Sequence, residues 1–442
     1  MSNQAAADRN VRWFIVFRVF FNARFYYPVM AILFLDLGLS LSQFALLNVA
    51  WAATSVLLEV PSGALADLVG RKRLVVFAAV LMVIEMGVFS FTPTTNLTLL
   101  FWLFMLNRVI SGAAEACASG ADEALVYDSL KSVGREGEWP RVLERLARWQ
   151  SGGFFFAMIL GAVVYDPTLV TKVLHFFGSS LVFTAKETVR WPVYLTLGTS
   201  FVTLFATLRL HESPRENADQ VSATAAARGV LETGRWILAS PLALFVIAAT
   251  ICNDSFIRLF LTISSQYYRL IELPTASLGF IGSGFALLGY LAPVIAKKLI
   301  ANGKPTKSFG IISVFTVAGL SGLTFVIPYL GLLFPLILGT AMSVMNFLTS
   351  YYLNQAADPA RRATILSFRG LSTNLAYGST GLLFAGLLRT LKNAQPAATE
   401  DALFISALNW LPWIFAVLVL LVFVSLSRHL LPGSAGTSPT KP

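Results

Sequence analysis

The chain has 442 residues, of which 56% are hydrophobic and only 13% are Asp, Glu, Lys or Arg. A soluble domain carries about 25% charged residues, so a soluble enzyme and a nucleic-acid-binding domain are excluded. The 2 cysteines, Cys117 and Cys252, both fall in apolar blocks, which excludes a disulfide scaffold. Apolar blocks of about 20 residues, the length that crosses a bilayer as a helix, recur along the whole chain. The sequence therefore predicts an all-α polytopic membrane protein.

Twelve transmembrane helices are predicted in chain order. We place them at 12–36, 42–66, 74–92, 98–121, 147–165, 190–209, 240–264, 275–297, 308–328, 330–352, 364–388 and 402–427. The polar N-terminus lacks a cleavable signal pattern, so the first apolar block is expected to remain as a span. Because the number of spans is even, both termini are expected on the same side.

The distribution of the 33 Lys and Arg residues predicts the orientation. Of these, 22 lie in loops and tails on the side of the N-terminus, 6 lie on the opposite side and 5 lie within spans. Since Lys and Arg are retained on the cytoplasmic side, both termini are expected in the cytoplasm. The net charge of +10 is then explained by the basic residues that orient the chain in the membrane, and no nucleic-acid partner is expected.

A polar, charged segment divides the chain into two halves of six spans each, as an internal duplication would. The expected domains are an N-terminal bundle at 1–209, a central cytoplasmic loop at 210–239 and a C-terminal bundle with a short tail at 240–442. In the external loop 166–191, Val170, Val173, Leu174 and Phe177 recur at helical spacing. This predicts a short helix, either along the membrane surface or as a plain connector.

The turn after the second span reads Gly63-Ala-Leu-Ala-Asp67-Leu-Val-Gly70-Arg71-Lys72-Arg73. We expect Gly63 to let two helices approach closely, and Asp67 to cap a helix or to meet an arginine. Arginines of this turn can reach carboxylates at the end of span four. The set comprises Arg71, Arg73, Asp122 and Asp128.

This turn resembles motif A of the major facilitator superfamily, G-x-L-x-D-x-x-G-R-[KR], in both register and position. The resemblance implies two pseudo-symmetric six-helix bundles in a bacterial-type transporter of the cytoplasmic (inner) membrane. It also implies that Gly63, Asp67, Gly70 and Arg71 latch the cytoplasmic face when the transporter opens outward. The competing interpretation is that the basic residues serve topology alone.

Span four contains Asn107-Arg108-Val-Ile-Ser111-Gly112, which resembles motif B of the same superfamily with Ser111 in place of Gln. The resemblance implies a role for Arg108 in proton coupling. Span five has Gly152, Gly153 and Gly161 but lacks the Gly-Pro pair of motif C, which many antiporters carry.

Charged side chains inside the spans are candidate functional residues, because each costs at least about 2.5–3.5 kcal/mol at mid-bilayer. On span four, residues from Arg108 to Asp122 recur at helical spacing and form one polar stripe. On span seven, Asp254 and Arg258 are spaced for an ion pair. The predicted substrate and proton cavity comprises Arg24, Arg108, Glu115, Asp254, Arg258, Asn346 and Arg369.

The sequence alone leaves the roles of several charged residues open. Arg24 and Arg258 occupy equivalent positions when the halves are overlaid, and deep positive charge there suits an anionic substrate. Glu85 is either a structural partner or a titrating site, and the Asp254–Arg258 pair is either structural or functional. Glu59 is expected to belong to the cytoplasmic latch.

The sequence predicts a monomeric secondary transporter working by alternating access. Proton-coupled export of small amphipathic or organic compounds is the first hypothesis, with Glu115 as the proton carrier. Proton-coupled uptake or exchange of an organic anion is the alternative, and a membrane receptor that lost transport is a lesser one. No enzyme activity, cofactor or metal is predicted, because no nucleophile–base pattern, metal cluster or phosphate loop occurs.

Overall fold

The computed structural model describes residues 3–212, 223–301, 304–356 and 362–426, and these residues form seventeen α-helices with connecting turns. In the first half the helices are α1 (Asn3–Asn22), α2 (Met30–Asp36), α3 (Leu41–Val69), α4 (Arg71–Phe91), α5 (Leu97–Ala118), α6 (Ala121–Lys131), α7 (Trp139–Tyr165), α8 (Pro167–Phe176), α9 (Ala185–Thr188) and α10 (Trp191–Leu208). In the second half they are α11 (Ala223–Ala239), α12 (Pro241–Leu270), α13 (Ser277–Ala301), α14 (Pro305–Leu323), α15 (Leu333–Ala356), α16 (Arg362–Ala394) and α17 (Glu400–Leu426).

Every predicted span coincides with a long helix or a helix pair. Nine of these elements within the described residues are long and apolar enough to cross a membrane, and the bent pair α7–α8 adds a tenth. The remaining predicted spans, 275–297 and 364–388, coincide with α13 and α16. The chain is therefore a multi-pass helical membrane protein, and α11 lies in the predicted central loop.

Four features differ from the predicted spans, and two of them have a clear local reason. The first span is broken between α1 and α2, where Pro28 lies in a short 3₁₀ turn and cannot donate a backbone hydrogen bond. Span four ends at Ala118, because Gly120 adopts a left-handed conformation with φ of 73° before α6 begins. Helix α7 begins at Trp139, well before the predicted residue 147, and α14 ends at Leu323 rather than 328.

The external loop contains the predicted short helix, α8. Asp166 caps it by accepting hydrogen bonds from the backbone N–H groups of Thr168 and Leu169. The helix runs at 90° to α7, so it lies across the end of the bundle. Phe176 and Phe177 at its end are exposed, as expected for a helix at a membrane surface.

The two halves contact each other through two equivalent helix pairs, α3 with α16 and α7 with α13. Small residues allow the close approach. Gly378 of α16 faces Ala52 of α3, and Gly279 of α13 faces the backbone of Met158 on α7. Both pairs cross the junction between the halves, so together they form the framework around any central cavity.

The glycines of α7 have different surroundings, which generates a stability prediction. A Cβ at Gly161 would overlap the backbone carbonyl of Phe25 in the break of the first span, whereas a Cβ at Gly152 has no described atom within 4 Å. We expect Gly161→Ala to destabilise the protein by about 1–3 kcal/mol because the backbone must shift. Thermal unfolding in detergent measures this effect.

The matched control is Gly152→Ala on the same helix. It gains helix propensity without a clash, so its melting temperature should equal or exceed that of the wild type. Equal melting temperatures for the two variants would contradict the packing described at the break.

Candidate functional site

The break in the first span lies at the centre of the N-terminal half. Residues 23–26 connect the end of α1 to the 3₁₀ turn Tyr27–Val29, and Arg24 lies in this connection. The Nε of Arg24 donates to the carbonyl oxygen of Phe21 at 3.2 Å, so the side chain folds back along α1. The non-helical backbone is tolerated at this depth because protein surrounds it.

Arg24 forms a buried ion pair with Glu85 of α4. Its Nη1 lies 3.1 and 3.2 Å from the two carboxylate oxygens, and the residues are 4% and 0% exposed. Asn107 of α5 donates to the backbone carbonyl of Glu85 at 2.7 Å. The structure therefore places Arg24 against Glu85 inside the N-terminal half, where its charge is neutralised.

Arg108 of α5 is a buried cation with a different environment. It is 4% exposed, and its guanidinium lies 5.1 Å from the centre of the Phe34 ring. Among the described residues, its Nε and Nη2 atoms have no hydrogen-bond partner. Hydroxyls of Tyr26 and Tyr377 lie nearby, one from each half. Arg108 thus presents unsatisfied donors at the junction of the halves.

Glu115 lies two turns from Arg108 on the same helix and is half-buried. This spacing separates the two residues by about 10 Å along the helix, and the described contacts contain no ion pair between them. Glu59 of α3 is the acidic neighbour of Glu115, and it accepts a hydrogen bond from Ser119 at 3.1 Å. The predicted polar stripe is therefore confirmed only from Arg108 to Glu115, because α5 ends at Ala118 and Asp122 lies on α6. Within this stretch the base and the acid do not contact each other.

The C-terminal half holds the other predicted cavity residues. On α12, Arg258 Nη2 lies 2.6 Å from Asp254 Oδ2, the pair that the spacing predicts. Arg258 also donates to Asn374 of α16 at 2.8 Å, and its guanidinium lies 5.5 Å from the Tyr377 ring. The side chain of Arg258 is 28% exposed, whereas that of Asp254 is 3% exposed. Arg258 is therefore the accessible member of this pair.

Arg369 and Asn346, predicted on separate spans, are in direct contact. The Nη2 of Arg369 donates to Asn346 Oδ1 at 2.6 Å and so joins α16 to α15. Arg369 lies near both Asp254 and Arg258, so the C-terminal half has two arginines around one carboxylate.

A cavity of about 480 Å³ lies between the two halves. The N-terminal half contributes Tyr27, Phe154 and Met158, and the C-terminal half contributes Arg258 and Ser343 among others. A second cavity of about 420 Å³ is lined by Phe347, Ser350, Tyr351, Asn354 and Gln355 of α15. Polar residues of α15 therefore extend from the central cavity toward the C-terminal end of that helix.

We call the side of the molecule that carries the N-terminus and the turn before Arg71 the basic face. There, Arg71 forms an ion pair with Asp128 of α6. Asp122 pairs instead with Arg18 of α1, whose Nη2 donates to it at 2.9 Å. Arg73 is exposed, and the side chain of Asp67 lies outside the described residues.

The expected close approach at Gly63 is wrong for this conformation. Among the described residues, nothing lies within 4 Å of a Cβ built there. The close approach of α3 occurs at Gly112 of α5, where a Cβ would lie 2.7 Å from the carbonyl oxygen of Trp51. Motif B, and not motif A, therefore supplies the small residue in the contact between α3 and α5.

Glu212 is a member of the basic-face cluster that sequence reasoning missed. Its carboxylate accepts hydrogen bonds from the backbone N–H groups of Arg71 at 3.1 Å and Lys72 at 2.9 Å. It thereby caps α4, whose N-terminus carries partial positive charge. Gly70, with φ of 102°, makes room, because a Cβ there would lie 2.9 Å from Glu212 Oε2. The only sequence signal was an acid immediately after the sixth span.

The opposite face carries an unpredicted contact between the halves. Arg269 of α12 donates to both oxygens of Asp36 at 2.8 and 2.7 Å, and Tyr165 also donates to Asp36. Glu400 of α17 accepts a hydrogen bond from the backbone N–H of Leu41 at 3.1 Å. We call Asp36, Tyr165 and Arg269 the opposite-face clamp. It joins the two halves on this side of the molecule.

Weakening the clamp should open the cavity toward the opposite face. The pair is partly exposed, so we expect Asp36→Asn to cost the closed state about 1 kcal/mol, or roughly fivefold in population. A cysteine at Ser343, in a background with Cys117 and Cys252 replaced by Ser, reports cavity access. A membrane-impermeant maleimide added from the opposite face should label it severalfold faster in Asp36→Asn.

The control is Lys172→Gln, which removes an exposed charge on the same face within α8. Its labelling rate should match that of the wild type. An unchanged rate in Asp36→Asn would show that the clamp does not govern closure.

The sequence profile described as Major Facilitator Superfamily matches residues 12–381. Among curated proteins, no sequence matches the chain significantly. Among solved structures, the nucleoside transporter NupG is similar, with 13% identity, a TM-score of 0.72 and coverage of 96% of this chain and 99% of that one.

Two further structures are similar to the chain. A bacterial homologue of the human lysosomal transporter Spinster, inward-facing and unoccupied, has 14% identity, a TM-score of 0.68 and coverage of 97% and 96%. An auto-inhibited POT family peptide transporter has 12% identity, a TM-score of 0.66 and coverage of 97% and 99%. These likenesses show the fold, and the profile covers most of the chain. The chain belongs to the major facilitator superfamily and is a multi-pass membrane transporter, not an enzyme.

Proposed function

We propose that this secondary transporter carries a small organic anion with an apolar part, coupled to protons. The observation that supports the anion is Arg108, a buried guanidinium whose Nε and Nη2 lack hydrogen-bond partners among the described residues. A buried cation with unsatisfied donors is costly. Arg108 does not itself line the central cavity, but a carboxylate or phosphate that reached it at the junction of the halves would satisfy those donors with strong, charge-assisted hydrogen bonds.

The neighbouring charges support the same assignment. Arg258 and Arg369 flank the single buried carboxylate of Asp254, which leaves excess positive charge in this part of the described C-terminal half. Arg24 does not contribute to that excess, because Glu85 neutralises it. The site charge therefore favours an anionic ligand over a cationic one.

The cavity walls support a ligand with an apolar part. Most of the residues that line the cavity between the halves are aromatic or aliphatic, and they include Phe154, Met158, Leu261, Phe285 and Met342. A cavity of about 480 Å³ with a few polar groups on one side has the size and character of a small-molecule site. An amphipathic organic anion suits both sides of it.

The Asp254–Arg258 pair provides a route for proton coupling. When Asp254 takes a proton, Arg258 loses its anionic partner and becomes available to the substrate. Proton and anion then favour each other's binding, which is the requirement for symport. Uptake or exchange of an organic anion is thus the better-supported direction. The excess of basic residues predicts that the basic face is cytoplasmic.

Proton-driven export of amphipathic compounds is the second candidate. The observation in its favour is Glu115, a half-buried carboxylate without a described ion-pair partner on the polar stripe of α5. In this candidate, a proton on Glu115 and a substrate in the apolar cavity exclude each other, so that protons and substrate move in opposite directions. The two candidates therefore assign the coupling to different carboxylates.

Ligand binding tests the anion assignment. Purified protein is heated with benzoate and octanoate, and with their neutral amides benzamide and octanamide. We expect the carboxylates alone to raise the melting temperature, and Arg108→Gln to weaken their binding at least tenfold, since hydrogen bonds to charged groups contribute about 1.5–3 kcal/mol.

Arg148→Gln is the control, because Arg148 is 77% exposed on the surface of α7. It should bind the carboxylates as the wild type does. Equal stabilisation by the amides, or full binding by Arg108→Gln, would overturn the anionic substrate.

Vesicles with an imposed pH gradient test the coupling. In the symport mechanism, Asp254→Asn leaves Arg258 permanently free, so anion binding loses its pH dependence and the gradient no longer drives accumulation. Glu115→Gln should retain both the pH dependence of anion binding and the accumulation driven by the gradient. The reverse pattern, with extrusion by the wild type and loss of pH dependence in Glu115→Gln, would contradict symport and support the export candidate.

A further inference from the structure

A groove separate from the substrate cavity lies on the C-terminal half, between α13, α14 and α15. It measures about 460 Å³ and is lined by apolar side chains apart from Thr340. Several of these are exposed, among them Ile295 at 37%, Phe315 at 51% and Leu333 at 58%. In a membrane protein, an exposed apolar groove of this kind faces lipid.

The groove and the substrate cavity lie on two sides of one helix. Ala341 and Val344 of α15 line the groove, whereas Met342 and Ser343 line the cavity between the halves. The two sets of lining residues do not overlap. A ligand in the groove therefore occupies a different site from the transported substrate.

Lysines mark one end of this groove. Lys307 precedes Ile311 by four residues on α14, so it lies on the groove-facing side of that helix. On α13, Lys298 follows Ile295 by three residues and lies on the corresponding side. Lys304 is exposed in the turn between these helices. The apolar channel thus ends at a basic patch on the basic face.

The sequence around this patch is rich in lysine and poor in acidic residues, and the first acid after it is Asp358. From residue 273 to residue 356, which covers α13, α14 and α15, the chain contains no Asp or Glu. Lys297, Lys298, Lys304 and Lys307 thus lie on, or in the turn between, two of the helices that line the apolar groove. Basic pockets between transmembrane helices attract anionic lipid headgroups.

We propose that the groove binds an anionic phospholipid of the leaflet at the basic face. One acyl chain lies along Ile295, Phe315 and Ile337, and the phosphate contacts Lys304 and Lys307. The occupant is a lipid rather than a free phosphate ester, because the groove is lined by apolar side chains on the same helices that carry the lysines. The site does not depend on which substrate the central cavity carries.

Lipid-dependent stability tests the site. Purified protein in detergent receives phosphatidylglycerol or phosphatidylcholine with identical acyl chains, and melting temperature and bound lipid by native mass spectrometry are measured. We expect phosphatidylglycerol to bind at least fivefold more tightly to the wild type. The double variant Lys304→Gln/Lys307→Gln should lose this preference and still bind both lipids weakly.

Two further variants define the outcome. Lys131→Gln removes an exposed lysine on the basic face of the N-terminal half, and it should keep the preference. Thr340→Trp fills the groove with all lysines present, and it should lose phosphatidylglycerol binding. If the double lysine variant keeps the full preference, or if glycerol 3-phosphate alone stabilises as much as the lipid, the proposal is wrong.

Discussion

Ion pairs that neutralise charge inside the membrane determine much of this architecture. The hydrocarbon core offers no water, so each buried charge needs a partner or a cavity. The first span contains Arg18 and Arg24, and two other helices supply their carboxylates. Asp122 of α6 pairs with Arg18, and Glu85 of α4 pairs with Arg24. These pairs fix α1 and its break against the rest of the N-terminal half.

The two halves use their arginines differently despite their similar helix arrangement. Arg24 and Arg258 occupy equivalent places in the sequence overlay, yet Arg24 is sealed against a carboxylate of another helix. Arg258 pairs within its own helix and stays 28% exposed toward the cavity. The charge of Arg24 is therefore neutralised inside the N-terminal half, whereas Arg258 of the C-terminal half remains accessible from the cavity.

Local patterns in the sequence were sufficient for the helices and for contacts along one helix. Apolar length predicted a helix at each of the twelve positions, and nine or ten of the helices in the described residues are long and apolar enough to cross a membrane. The i, i+4 spacing predicted the contact between Asp254 and Arg258. The position of motif A predicted that Arg71 reaches an acid beyond the end of span four, and in the structure this acid is Asp128. The break in the first span was not predicted, because the block was long enough for one span, although Asn22, Arg24 and Pro28 were signals of it.

Contacts between distant segments could not be predicted from one sequence. Asp36 and Arg269 are separated by 233 positions, and no local spacing relates them. Asp122 was expected near Arg71 or Arg73, but the packing of α1 against α6 places Arg18 closer. Likewise, Gly63 belongs to a recognised motif, yet the close packing of α3 occurs at Gly112. In each case the deciding factor is which helices are neighbours.

The pairing of Arg18 and Arg24 has a consequence for biogenesis. The first span is the first to leave the ribosome, and Arg24 is then unpaired, at a cost of about 2.5–3.5 kcal/mol at mid-bilayer. Arg18, nearer the basic face, lacks its partner as well. Their partners Glu85 and Asp122 are synthesised only with α4 and α6. We therefore expect the insertion of the first span to be coupled to the assembly of the N-terminal half.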